Sequence, residues 1–143
     1  AFPAWWGMPE VLLGFDFGMK RIGVAVGQTL TGSAQALSIL PARDGIPDWS
    51  RIQALIHTWC ATGLVVGVPY HMDGRPQHTT TLALKFSERL KKHFDLPVYL
   101  VDERLTSVHA RQMVSEQTKR RPPAEIDSLA AKLILESWLS DHR

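Results

Sequence analysis

The chain has 143 residues and a mass of 16.0 kDa, which suits one domain with a sizeable core. Hydrophobic residues at 45% and charged residues at 21% exclude a disordered chain, and the single cysteine, Cys60, excludes a disulfide framework or a Cys-rich zinc site. The net charge of +2 is too small to announce a polyanion partner, but nine Lys/Arg and five acids between Lys85 and Arg121 give that segment a local +4.

The first residues, 1–10, lack the basic flank and long apolar core of a signal peptide. They read as a disordered or added lead before a single domain over 11–143. The uncharged stretches Ile22–Ala42 and Ile52–Met72 are interrupted by Gly, Pro, Gln, Thr or His, so neither is a bilayer-spanning run.

Val11–Phe17 reads as a buried strand and Arg21–Gln28 as its hairpin partner, with Ile22, Val24 and Val26 alternating. A weaker third strand is expected near Ala34–Leu40. Pro47-Asp48 opens a helix whose Ile52, Leu55, Ile56 and Trp59 share one stripe, ended by Thr62-Gly63. Leu64–Val68 is a strand stopped by Pro69, and Tyr70–Gln77 is a loop. Thr79–His93 is a helix with Leu82, Phe86 and Leu90 in line. Val98–Val101 is the last strand. A helix is expected from about Thr106 to Gln117, then a mobile basic loop over Thr118–Ala124. The final helix is Ile126–Leu139, with Leu129, Leu133, Ile134 and Trp138 facing inward.

This order predicts an α/β fold. Three hairpin-linked strands come first, and two more follow through helical crossovers, parallel to the first strand. The mixed sheet carries helices on both faces. Ligands of such sheets gather at the carboxyl edge of the parallel strands, where Asp16, Pro69 and Glu103 all fall.

Asp16 lies between Phe15 and Phe17, and a carboxylate in so apolar a strand costs several kcal/mol unless it is paired or binds a cation. An ion pair with Lys20 or Arg21 across the turn is the plain explanation; strand-centre Asp is unfavourable enough that a functional role is favoured. Asp102-Glu103 ends the last strand, where a solvated terminus explains one acid better than two. Asp127 opens the final helix, where an acid is expected for capping alone. As a set, Asp16, Glu103 and Asp127 are oxygen ligands for Mg²⁺ or Mn²⁺. Two such ions ~4 Å apart activate water and stabilise the leaving oxygen of a phosphodiester. Lys20, Arg21, Arg104, Lys119, Arg120 and Arg121 are candidate phosphate contacts. The six histidines show no zinc-ligand spacing.

Gly14-Phe-Asp-Phe-Gly18, Arg21-Ile-Gly-Val-Ala25, Val66-Gly-Val-Pro69, Met72-Asp-Gly74, Val101-Asp-Glu-Arg-Leu-Thr106 and Ile126-Asp-Ser-Leu-Ala-Ala131 together resemble the YqgF (RuvX-like) family, in order, from about Leu12 to Leu139. The resemblance implies an RNase H-like fold with five strands in the order 3-2-1-4-5. It implies a cytoplasmic bacterial nuclease for the 5′ end of pre-16S ribosomal RNA, or a Holliday-junction resolvase. The family's three acidic residues fall on Asp16, Glu103 and Asp127. Structured RNA, branched DNA and ribosomal precursor particles are the implied partners. Tyr70-His71 and Thr106-Ser-Val-His109 depart from the family's usual Leu-Asn and Thr-Thr-Val-Glu.

In that strand order the first and last strands lie ~9–10 Å apart. Glu103 must lean across the strand between them to share a metal with Asp16, and Asp73 is a spare ligand. A non-catalytic nucleic-acid-binding factor on the same fold is the main alternative. An ATPase of the actin or sugar-kinase type ranks last, because one chain of this length lacks the second half that closes over a nucleotide.

Overall fold

The computed structural model describes residues 9–105 and 123–142, with the side chains of 105 and 123–127 outside the description. Its strands are β1 (Val11–Asp16), β2 (Arg21–Gln28), β3 (Ser33–Arg43), β4 (Ile46–Pro47), β5 (Gly63–Val68) and β6 (Val98–Asp102). Its helices are α1 (Trp49–Trp59), α2 (His78–His93) and α3 (Pro123–Asp141), and Glu103–Leu105 forms a 3₁₀ turn directly after β6.

One sheet runs β4-β3-β2-β1-β5-β6. The expected five-strand order is present, with one strand added at its edge. The two-residue β4 pairs with Ala42 and Arg43; it is too short for any periodicity to reveal. β1 pairs antiparallel with β2, from Val11 opposite Gln28 to Asp16 opposite Gly23. It pairs in parallel with β5, which pairs in parallel with β6. β3 is longer than expected, and its register slips opposite Val24 and Ala25, so Leu37 is extra. A bulge of this kind breaks the alternation that a sequence reading relies on.

The sheet sorts its side chains by parity. Leu13, Phe15, Val24, Leu64 and Val66 join Ile52, Phe86 and Leu90 under α1 and α2. Leu12, Ala25, Val65 and Val101 join Ala131, Ile134, Leu135, Trp138 and Leu139 under α3. Helices therefore cover both faces. The α3 stripe differs from expectation: Leu133 is only half-buried, and Leu135 and Leu139 take the inward places. α3 carries apolar residues almost all round, so spacing alone could not choose its face.

Local chemistry explains the element ends. The Asp48 carboxylate accepts from the Ser50 N–H at 3.0 Å and from its hydroxyl at 2.6 Å, capping α1. α1 stops at Cys60, whose left-handed φ of 54° turns the chain two residues before the expected stop at Thr62-Gly63. Gln77 and Thr80 form a reciprocal capping box on α2, and the Thr80 hydroxyl donates to the Pro69 carbonyl. That bond ties the start of α2 to the end of β5. α3 begins at Pro123, so Pro123 and Ala124 are helical rather than part of a loop; proline suits a first helical turn. The helix expected over 106–117 and the rest of the basic loop lie outside the described residues. Glu10 is hydrogen-bonded to Thr29 through its N–H and its carbonyl. Among the described residues, no helix is long and apolar enough to cross a membrane.

Candidate metal and nucleic-acid site

β1, β5 and β6 are parallel, so Asp16, Val68-Pro69 and Asp102-Glu103 end on one edge of the sheet. Leu12 belongs to the α3 side, and a Cβ on Gly14 would meet Leu135 Cβ at 2.8 Å. By alternation, Asp16 points to that same side.

Glu103 reaches this side by a different route. A Cβ placed on Gly67 would stand 2.8 Å from Glu103 Oε1 and would run into the Ile134 side chain. Gly67 is the next-to-last residue of β5, the strand between β1 and β6. The Glu103 carboxylate therefore leans inward over β5, in space that a glycine leaves open and any other residue would fill. This is the inward reach that the strand order demands.

α3 supplies the third position. Its Ile134 overlies Gly67 near the carboxyl edge, and its Leu139 overlies Gly27, opposite Leu12 at the other end of β1. The helix thus runs from the carboxyl edge inward. Residue 127 precedes Ile134 by seven residues, about 10 Å of helix, which carries its backbone beyond the strand ends. The Asp127 side chain lies outside the described residues. Among the described side chains, no three His, Cys, Asp or Glu converge as a metal cage.

The donor set fits a hard divalent cation: two carboxylates brought to one side of one edge, one of them in a cradle that a Cβ would fill. Neither is a soft ligand, and the pairing suits Mg²⁺ or Mn²⁺.

Two other acids near this edge are committed to arginines. Asp102 grips Arg104 through Oδ2 to Nη2 at 2.6 Å and through Nε at 3.1 Å, and accepts the Arg104 N–H at 2.9 Å. The bond to Asp102 raises the Arg104 pKa above its ordinary value. The guanidinium lies 5.5 Å from the centre of the Tyr70 ring. Asp73 accepts the Arg75 N–H at 3.0 Å and pairs with its Nε at 2.7 Å. The backbone bond first, and the guanidinium after it, hold the Asp73 carboxyl below the usual range. The turn between them passes through Gly74 at a φ of 93°, which only glycine adopts freely, and a Cβ there would press on Arg104 Nη1 at 3.1 Å.

Sequence reasoning thus placed Arg104 at the edge but missed what holds it: Asp102, Tyr70 and the Gly74 turn. The two-residue spacing of Asp102 and Arg104 was the available signal. Lys20 is exposed on the β1–β2 turn and Arg21 is exposed at the first position of β2. Lys119, Arg120 and Arg121 lie outside the described residues.

Comparisons with known proteins place the chain's family and fold. The family model described as "RuvX: Holliday junction resolvase" matches residues 10–141. A Coxiella burnetii protein named "Putative pre-16S rRNA nuclease" is 56% identical over 133 residues, covering 93% of this chain and 94% of its own. A Legionella pneumophila protein of the same name is 54% identical over 135 residues, covering 92% and 97%. Among solved structures, Thermus thermophilus RuvC in complex with a Holliday junction substrate superposes with a TM-score of 0.57 at 15% identity, covering 93% of this chain and 96% of that one. At that identity the likeness shows the fold alone, an RNase H-like one.

Proposed function

The chain belongs to the RuvX family, and from that premise we propose that it is a metal-dependent endonuclease acting in the cytoplasm on the 5′ end of pre-16S ribosomal RNA. The observation that carries the reading is the Glu103 carboxylate, drawn over Gly67 to the side of the sheet that Asp16 faces. The two relatives named for pre-16S rRNA, each above half identical across nearly their whole length, support the substrate.

Asp16, Glu103 and Asp127 are the residues that would hold one or two Mg²⁺ or Mn²⁺ ions. Ions bound there supply polarised water and stabilise the oxygen that leaves the phosphodiester. The β1–β2 ladder fixes the Asp16 backbone at this edge, opposite Gly23. Glu103 is set by the 3₁₀ turn and by the space over Gly67. Arg104, braced by Asp102 and Tyr70, presents its guanidinium beside this edge as a phosphate contact. Lys20, Arg21, Lys119, Arg120 and Arg121 complete the set of cations that offset the charge of the nucleic acid.

A second reading is cleavage of branched DNA, favoured by the family description that matches residues 10–141. A labelled pre-16S 5′-leader and a four-way DNA junction, each incubated with the protein in Mn²⁺, decide between them. The expected result is cleavage of the leader, abolished by chelation and by Asp16→Asn. Cutting of the junction alone moves the substrate to DNA. Binding without cleavage of either makes the protein a non-catalytic factor.

A further inference from the structure

The two faces of the sheet carry opposite charge. α2, on one face, holds Lys85, Arg89, Lys91 and Lys92 against a single acid, Glu88. Among the described side chains of α3, on the other, Glu136 and Asp141 stand against Lys132. Glu88 is already engaged by Lys91 at 3.2 Å. Lys85, Arg89 and Lys92 recur at four and three residues, so they share one face of α2. Among the described residues none of the three is ion-paired. With Thr81, Leu84 and Glu88 they line a shallow hollow of about 380 Å³ on the outside of the helix. This face carries three cations against one acid, Glu88, which is held by Lys91 at its side.

The row also has a direction. α2 starts at the carboxyl edge, where Thr80 is bonded to Pro69, and runs away from it. Lys85 lies about 10 Å down the helix from His78, and Lys92 about 10 Å further. Ten ångströms match about three phosphates of one duplex strand. Nucleic acid that turns over α2 as it leaves the edge meets net positive charge.

We propose that Lys85, Arg89 and Lys92 form a second phosphate-binding track, which takes a duplex arm of the nucleic acid as it leaves the carboxyl edge. This rests on the nuclease reading for the position of the cut, and it adds a separate binding surface that contains no member of the proposed metal site. The track orients a branched or folded substrate without touching the scissile phosphate.

The test measures binding of a fluorescent branched RNA duplex in chelator, so that no cutting occurs, at several salt concentrations. K85Q/R89Q/K92Q is compared with wild type. K85Q/R89Q is compared with R43Q/R51Q, which removes equal charge from β3 and α1. Because Arg89 is half-buried, K85Q/K92Q repeats the test with only exposed side chains changed. The expected result is at least about tenfold weaker binding by the triple variant, with a log–log salt slope shallower by about two to three, and little loss with R43Q/R51Q. Truncating the RNA arms is expected to remove the difference. Equal losses in the two charge-matched pairs, or no loss in any α2 variant, would overturn the track. Cleavage in Mn²⁺ by wild type is scored separately, so failure of the nuclease reading is seen on its own.

Discussion

A single missing side-chain carbon at Gly67 decides where Glu103 can lie. Gly67→Ala sets a methyl group 2.8 Å from Glu103 Oε1 and into Ile134. The overpacking is expected to cost about 1–3 kcal/mol of stability, read by urea unfolding, and to lower cleavage by displacing the carboxylate. Trimming the neighbour in G67A/I134V is expected to return part of the stability and little of the activity. Full recovery of both would mean that the glycine serves packing only. Two other carboxylates contribute to the response to acid. Asp48 is held below its ordinary pKa by the Ser50 hydroxyl and then its N–H, and Asp73 by Arg75. A lowered folded-state pKa gives stability that is present above the ordinary value of 3.8 and lost as pH falls through the lowered one. The urea midpoint is therefore expected to hold steady near neutrality and drop by pH 3, with a smaller drop in D48N/D73N. An unchanged drop in that variant would contradict the assignment. The signal for Asp16 was legible in the sequence because an acid inside an apolar strand is costly. The commitment of Asp102 to Arg104 had only their two-residue spacing as a signal, and a strand end tolerates any polar residue.

At the scale of elements, one aromatic cluster joins α1, α2 and β1. Phe86 of α2 is fully buried, 5.8 Å from the Phe15 ring and 5.3 Å from the Phe17 ring, and it stacks on Trp49 of α1 at 6.2 Å. Phe86→Ala is expected to cost about 3–5 kcal/mol. Because Phe15 and Phe17 flank Asp16, the same variant is expected to lose cleavage beyond its loss of folded protein. A stability cost below about 1 kcal/mol would show that the cluster is not the brace described. Strong periodicity made β1, β2, β5, α1 and α2 readable to within a few residues. β4 was too short to read, and the bulge in β3 hid its length. α3 was found with Ile134 and Trp138 inward as expected, but Leu135 and Leu139 replace Leu129 and Leu133, since a helix apolar on most sides has no preferred face until the sheet supplies one.

For the whole molecule, the order of strands creates the site. Placing β5 between β1 and β6 separates the two acids, and the turn after β6 with the open space over Gly67 closes that gap from one side. The hairpins and parallel crossovers followed from patterns that the sequence displays, and the strand order from the family resemblance. The closure did not, because it depends on which face each residue takes at the sheet's end. The charge difference between the α2 and α3 faces is likewise invisible in a net charge of +2.

The central claim is that Asp16 and Glu103 hold a divalent cation together. Titrating Mn²⁺ into wild type, D16N and E103Q, and following the free-ion electron paramagnetic resonance signal, tests it without any substrate. The account predicts saturable binding by wild type and a loss of affinity of at least about a hundredfold in both variants, the upper end of what even supporting residues around a metal cost. Equal Mn²⁺ binding by wild type and both variants, with all three folded, would contradict it.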